Sequence, residues 1–212
     1  MEVYFIRHGQ SEANLKGIIQ GHADFPLSSL GKKQAVMVAD YLSSVHIDAL
    51  YSSDLSRAYD TALAIADGRT VKVSPWEMVR EVALGPFEGI SREQLIAQYP
   101  QFKTESLLTS GMPGTEPFES ITARCRTTID FLLKHHHSDR VAVVSHGGFI
   151  SILLMYLMLK DQWFKAERPF IIGNTGMTLV EIDATGKSKV HYVNKQTHLE
   201  HRGGLLSSAV RY

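Results

Sequence analysis

A single cysteine, no long apolar run and no surplus of either charge mark this sequence of 212 residues. Cys125 has no partner within the chain, which excludes an internally disulfide-stapled framework. The longest apolar stretch, Phe149 to Leu159, is interrupted by Ser151 and falls short of the roughly 20 residues that span a bilayer, so it predicts a buried helix and no membrane anchor. The N-terminal residues lack the basic and long apolar regions of a secretory signal, and a cytoplasmic location is the expectation. Lys plus Arg equals Asp plus Glu at 22 each, so the broad basic face of a nucleic-acid or polybasic membrane binder is missing and any basic site has to be local. No internal repeat or low-complexity linker interrupts the chain. Hydrophobic residues make up 44%, enough for a core, and the length predicts one domain over 1–212.

What is present alternates between strand and helix. Val3-Tyr4-Phe5-Ile6 is short, aromatic and β-branched, and it stops abruptly at Arg7-His8-Gly9, which reads as a buried strand delivering a loop. Ala35, Val38, Ala39 and Leu42 follow helical spacing from Ser29 to Ser44, with Gly31 as an anomaly. Ala49 to Tyr51 predicts a strand, Ser52-Ser53-Asp54 offers helix caps, and Leu55 to Ala66 predicts the helix they would cap. Val71 to Val73 reads as a strand and Pro117 to Leu133 as an amphipathic helix. Val141 to Val144 is a fully apolar strand, and Gly147 to Leu159 a helix. Met177 to Ile182 and Lys189 to Val193 flank a turn and read as a hairpin at a sheet edge. The expected fold is α/β, three layers with a mostly parallel central sheet, whose ligands bind beyond the carboxyl ends of the strands. If the two most apolar strands are neighbours, Arg7-His8-Gly9 and Ser145-His146-Gly147-Gly148 share one crevice.

Arg7-His8-Gly9-Gln10-Ser11-Glu12-Ala13-Asn14 resembles the signature of the histidine phosphatase superfamily, the phosphoglycerate mutase-like proteins. Four further blocks follow in the family's order. They are Gln20-Gly21 with Asp24, Pro26 to Ser28 and Leu30-Gly31; Ser52 to Leu55 with Arg57-Ala58 and Thr61-Ala62; Arg80-Glu81 with Gly85 and Phe87 to Gly89; and Val143 to Gly148. The resemblance implies a metal-independent phosphoric monoester hydrolase of the histidine acid phosphatase type, needing no cofactor and working through phosphohistidine at His8. It further implies Glu81 as general acid. Glu88 is the rival carboxylate, assigned by the same match to a structural role.

The residue types suit that chemistry. A phosphate monoester carries about two negative charges, so an approaching nucleophile needs cations and donors around the equatorial oxygens. Arg7, Arg57 and His146 supply charge and planar donor geometry, while Asn14, Gln20, Gly21 and the Gly147 backbone form the expected substrate-binding set. His8 attacks only when neutral, which an imidazole of ordinary pKa ~6.5 already is in good part at neutral pH. The leaving alkoxide takes its proton from Glu81, which therefore starts as the acid and afterwards serves as base toward water.

Other histidines and the cysteine carry plainer expectations. Adjacent side chains of His135-His136-His137 point about 100° apart on a helix and do not converge on a metal, so a solvated helix end is expected. Cys125 between two arginines reads as a packed side chain. The tail from Thr197 to Tyr212 either covers the site, as in the family, or ends loosely.

Two rival functions are compatible with parts of this pattern. A cofactor-dependent phosphoglycerate mutase shares the phosphohistidine step, but its Arg-His-Tyr-Gly-type block and basic insertion are missing; the insertion at about 90–117 has Lys103 and Arg92 as its only cations. It reads as a small helical lid or a packed subdomain. A non-catalytic phospho-ligand binding module would have no need of nucleophile, acid and clamps together. The expected partner is a small phosphate ester, with no nucleic acid or membrane, and a homodimer paired along the hairpin is compatible with the pattern without being required by it.

Overall fold

A computed structural model describes residues 1–166 and 170–200. The chain runs β1 (Glu2–Arg7), α1 (Glu12–Lys16), α2 (Ser29–Leu42), β2 (Ala49–Ser52), α3 (Ser56–Ala66), β3 (Val73–Pro75), α4 (Arg92–Gln98) and α5 (Phe118–His135). It continues through β4 (Arg140–Ser145), α6 (Gly147–Leu159), β5 (Met177–Ile182), β6 (Ser188–Lys195) and α7 (Thr197–Glu200). Among the described residues six strands form one sheet in the order β3-β2-β4-β1-β5-β6. β1, β2, β3 and β4 are parallel, and β5 joins β1 antiparallel, so the last two strands form the expected hairpin at one edge.

The unbroken apolar runs of β1 and β4 follow from burial on both faces. Successive side chains of a strand point to opposite sides, so Val3 and Phe5 meet one layer and Tyr4 and Ile6 the other. Val141 and Val143 join Val3 and Phe5 beneath α5, α6 and the 90–117 stretch, through Ile121, Cys125, Leu132, Phe149 and Leu108 among others. Ala142 and Val144 join Tyr4 and Ile6 against Val38 and Leu42 of α2 and Ala58, Ala62 and Ile65 of α3. This is the expected three-layer arrangement. α6 is apolar around its circumference because it lies inside the thicker layer. Among the described residues no helix is long and apolar enough to cross a membrane.

Gly31 is an anomaly only as a helical residue. A Cβ there would lie 1.9 Å from the carbonyl oxygen of Gln10, so the close approach of α2 to the His8 loop requires glycine. Several local expectations are corrected. The strand expected at Val71 to Val73 is Val73–Pro75, because its pairing with Leu50 and Ser52 starts at Val73; Pro75 is tolerated because β3 is an edge strand. Ser52, Ser53 and Asp54 do not cap α3: Leu55 is its N-cap residue, with no side-chain cap bond. Their polar groups are taken elsewhere, Asp54 by Arg80 and Ser53 by His146. His136 is buried rather than solvated, bonding Tyr51 at 3.0 Å and Asp139 at 2.7 Å. The short helix α1 is absent from the sequence expectations; Ser11 and Asn14 close it with a reciprocal capping box.

The 90–117 stretch contains α4 and 3₁₀ turns at Pro100–Lys103 and Leu107–Thr109. Leu95, Phe102, Leu107 and Leu108 are buried in the α5/α6 layer. Of the tail, Thr197 to Glu200 forms α7, and the expectation that residues 201–212 cover the site lies outside the described residues.

Candidate active site

The parallel pairing of β1 with β4 sets Arg7 opposite Ser145, which brings the two polar strand ends together. The rings of His8 and His146 lie edge to face with centroids 5.1 Å apart, and both are buried. His8 Nδ1 is 2.6 Å from the Gly9 carbonyl. A carbonyl only accepts, so Nδ1 carries the proton and Nε2 keeps its lone pair. Burial holds the His8 imidazole well below its ordinary pKa, helped by the positive charges of Arg57 and Arg7; the bond to Gly9 opposes this. His146 is pushed down in the same way, first by burial and then by Arg57, His8 and Arg7. The ring that must be neutral to attack is held neutral by its surroundings.

Arg7 and Arg57 are almost fully enclosed. Arg57 Nη2 donates to Gly21 O at 2.8 Å and Nη1 to Ala23 O at 3.0 Å, and Arg7 Nη1 donates to Ile172 O at 2.6 Å. Arg57 is thus held inside the protein by backbone carbonyls, while Asp54 pairs with Arg80. Gly21 contributes its carbonyl to Arg57 and a backbone with φ +52, where a Cβ would come 2.2 Å from Glu88 Oε1. Gln20 is buried and its Oε1 accepts from Ser11 Oγ at 2.7 Å.

Two buried polar atoms stand out. Asn14 uses Oδ1 to accept from Ser11 N and Asn174 Nδ2, while its Nδ2 has no hydrogen-bond partner among the described residues. His146 uses Nε2 toward Ser53 Oγ at 2.8 Å, and its Nδ1 is likewise without a partner. A buried unsatisfied polar atom costs on the order of 1–3 kcal/mol, so two of them, one on the ring beside His8 and one on a side chain linked to the His8 carbonyl through Asn174, call for a polar ligand.

Glu81 belongs to the same cluster. Its Oε1 accepts from Phe149 N at 2.8 Å and Val82 N at 3.0 Å, and its Oε2 from Gly148 N at 3.0 Å, which fixes the carboxyl at the start of α6. Gly147 is packed against Arg7: a Cβ at Gly147 would lie 3.2 Å from Arg7 Cδ and Nε. Glu88 instead accepts the backbone N–H groups of His22, Ala23, Leu84 and Gly85, which holds two loops together.

The nine sequence-derived residues fall on the end of β1, the loops that follow β1, α1, β3 and β4, and the first turns of α1, α3 and α6. Sequence reasoning missed their supports. Thr61 Oγ1 accepts from Gly9 N, Gln34 Oε1 from Gln10 N, and Asn174 Nδ2 donates to the His8 carbonyl. Thr61 was visible inside a matched block; Asn174 and Gln34 carry no local signal, since only the fold brings them here.

The family model of the histidine phosphatase superfamily (branch 1) matches residues 3–195. The chain belongs to that superfamily. Among its relatives is a putative phosphoserine phosphatase 2 of Hydrogenobacter thermophilus, 30% identical over 92% of this chain and 96% of the relative. A probable phosphoglycerate mutase GpmB of Yersinia enterocolitica is 32% identical over 85% of each. A phosphoserine phosphatase mutant of Entamoeba histolytica, solved in complex with phosphoserine, superposes with a TM-score of 0.75 at 29% identity, covering 93% of this chain and 98% of that one. Histidine phosphatases are therefore similar to this chain in both sequence and fold across most of its length.

Proposed function

We propose that the protein is a cytoplasmic phosphomonoesterase of the histidine acid phosphatase type that hydrolyses a small phosphate ester through phosphohistidine at His8. The observation that carries this reading is the buried His8 ring set edge to face against His146, whose Nδ1 lacks a partner among the described residues as does Asn14 Nδ2, with burial, Arg57 and Arg7 lowering the His8 pKa. The lone pair of His8 Nε2 attacks phosphorus, the P–O ester bond breaks, and the leaving oxygen takes the proton of Glu81. The positive charge that develops on the imidazole is stabilised through Nδ1–H and the Gly9 carbonyl. Water then attacks phosphorus and gives its proton to the Glu81 carboxylate, and the P–N bond breaks with its electrons returning to Nε2. Arg7, Arg57, His146 and Asn14 stabilise charge on the equatorial oxygens in both steps.

Hydrolysis is favoured over phosphoryl transfer to a second phosphorylated substrate by the state of the flanking cations. Arg80 is engaged by Asp54 at 2.7 Å and Arg124 by Glu116 at 2.7 Å. The test is phosphate release from a panel of monoesters in EDTA, with denaturation in alkaline detergent to trap phosphoenzyme, run beside a mutase assay supplied with bisphosphate primer. Wild type is expected to release phosphate without isomerisation and to form an acid-labile phosphoenzyme, and His8→Ala to do neither, a loss of at least about 10³-fold. Wild-type turnover by His8→Ala removes the nucleophile assignment, and loss of activity in EDTA restored by one metal removes metal independence.

A further inference from the structure

Glu81 sits on a segment without regular structure, between 3₁₀ turns at Glu77–Val79 and Gly85–Phe87, so no sheet or helix register sets its position. His22 Nε2, 2.9 Å from Glu81 O, and one side chain from α5 do. Arg124 Nε donates to Met78 O at 3.1 Å, Nη1 to Glu81 O at 3.2 Å, and Nη2 to Arg80 O. Its Nη1 also meets Glu116 Oε2 at 2.7 Å, with side chains only 11% and 8% exposed. Glu116 in turn accepts from Ala83 N, and the Glu116 backbone N–H donates to Ala83 O, which fastens the far side of the segment. The guanidinium carbon lies 4.5 Å from the centroid of the Phe149 ring. Phe149 is the residue whose backbone N–H holds the Glu81 carboxyl. Arg124 therefore holds the backbone of Glu81 directly and stacks on the residue that holds its carboxyl.

We propose that Arg124, seated by Glu116, is a positioning residue of the general acid: it acts by keeping Glu81 aligned with the leaving oxygen. The inference rests on the assignment of Glu81 made above. The geometry of a planar fork matters here, because the three carbonyls lie where the five guanidinium N–H groups diverge and a point-charge ammonium reaches only part of them. The contribution belongs to the bond-breaking step with a poor leaving group, where proton donation by a placed acid is worth on the order of 10²–10⁴ in rate.

The experiment compares kcat/KM for an alkyl phosphate, whose leaving oxygen needs a proton, with that for 2,4-dinitrophenyl phosphate, whose leaving group departs unprotonated. Arg124→Met is expected to lower the alkyl value by about 10²-fold and the dinitrophenyl value by less than about threefold. Arg124→Lys is expected to restore part of the alkyl rate. In the Glu81→Gln background, adding Arg124→Met is expected to cause no further selective loss. Glu116→Gln, which loosens the guanidinium while conserving volume, supplies the same ratio if the methionine variant fails to fold. Equal losses on both substrates overturn the positioning role while leaving Glu81 in place, provided Glu81→Gln shows the selective loss. An unselective Glu81→Gln overturns the acid assignment itself.

Discussion

Lowering the pH from about 7.5 to about 5.5 is expected to destabilise this protein through its active-site histidines, by an amount that follows from burial. His8 and His146 are both enclosed, and burial with the nearby Arg57 and Arg7 charges holds both well below the ordinary histidine pKa, so the folded chain resists taking up the protons that the unfolded chain accepts. In the unfolded chain each titrates near its ordinary value of ~6.5 and takes up a proton. Their contribution to stability is thus present above that value and is lost as pH falls toward the folded pKa. Over two pH units centred on ~6.5, each histidine forfeits on the order of 1 kcal/mol, and the pair roughly 2–3 kcal/mol. With a urea dependence of roughly 1–3 kcal/mol/M, the unfolding midpoint falls by about 1 M or more. His198, pushed down to about 4 by burial, adds in the same direction. The assay is urea unfolding followed by circular dichroism at several pH values, for wild type and a His8→Asn/His146→Asn double variant. The double variant should lose most of the pH dependence. An unchanged midpoint in wild type, or a full shift retained by the double variant, refutes the reasoning.

Two substitutions probe the framework around the site. Gly31→Ala drives a Cβ to within 1.9 Å of the Gln10 carbonyl, where backbone faces backbone and no rotamer relieves the clash. A cost of about 3 kcal/mol and a melting temperature lower by roughly 10 °C are expected, read by calorimetry together with reduced phosphate release. Glu88→Gln removes the charge from a carboxylate that accepts four backbone N–H groups. It should cost about 2 kcal/mol in urea unfolding while leaving the kcat/KM ratio between alkyl and dinitrophenyl esters within about twofold of wild type; a selective loss on the alkyl ester would instead move the acid role toward Glu88.

The apolar strands and the chemistry at their ends were legible because they are local. Val3 to Ile6 and Val141 to Val144 declare burial on both faces through composition alone, and each runs straight into its histidine. The blocks around His8, Arg57, Glu81 and His146 likewise carry their residue types in short order. Capping was misread at Ser52 to Asp54 because the same polar side chains serve two competing partners, and the choice between a local helix end and a distant His146 or Arg80 is made only when the loops meet. Gly31 looked like a weakness in a helix until α2 lay against the His8 loop.

By itself the sequence determined the α/β alternation, the two polar strand ends and the set of side chains able to handle a phosphate ester. These follow from periodicity and residue chemistry within a few positions of chain, while the adjacency of the two ends came with the pairing of β1 and β4. Only the tertiary structure decided which nitrogen of His8 is free to attack, which polar atoms of the site lack partners, and that Arg124, far along the chain on α5, holds the segment that carries Glu81. Tautomer, desolvation and alignment are properties of what surrounds a group in space, and those surroundings come from residues that the linear order keeps apart.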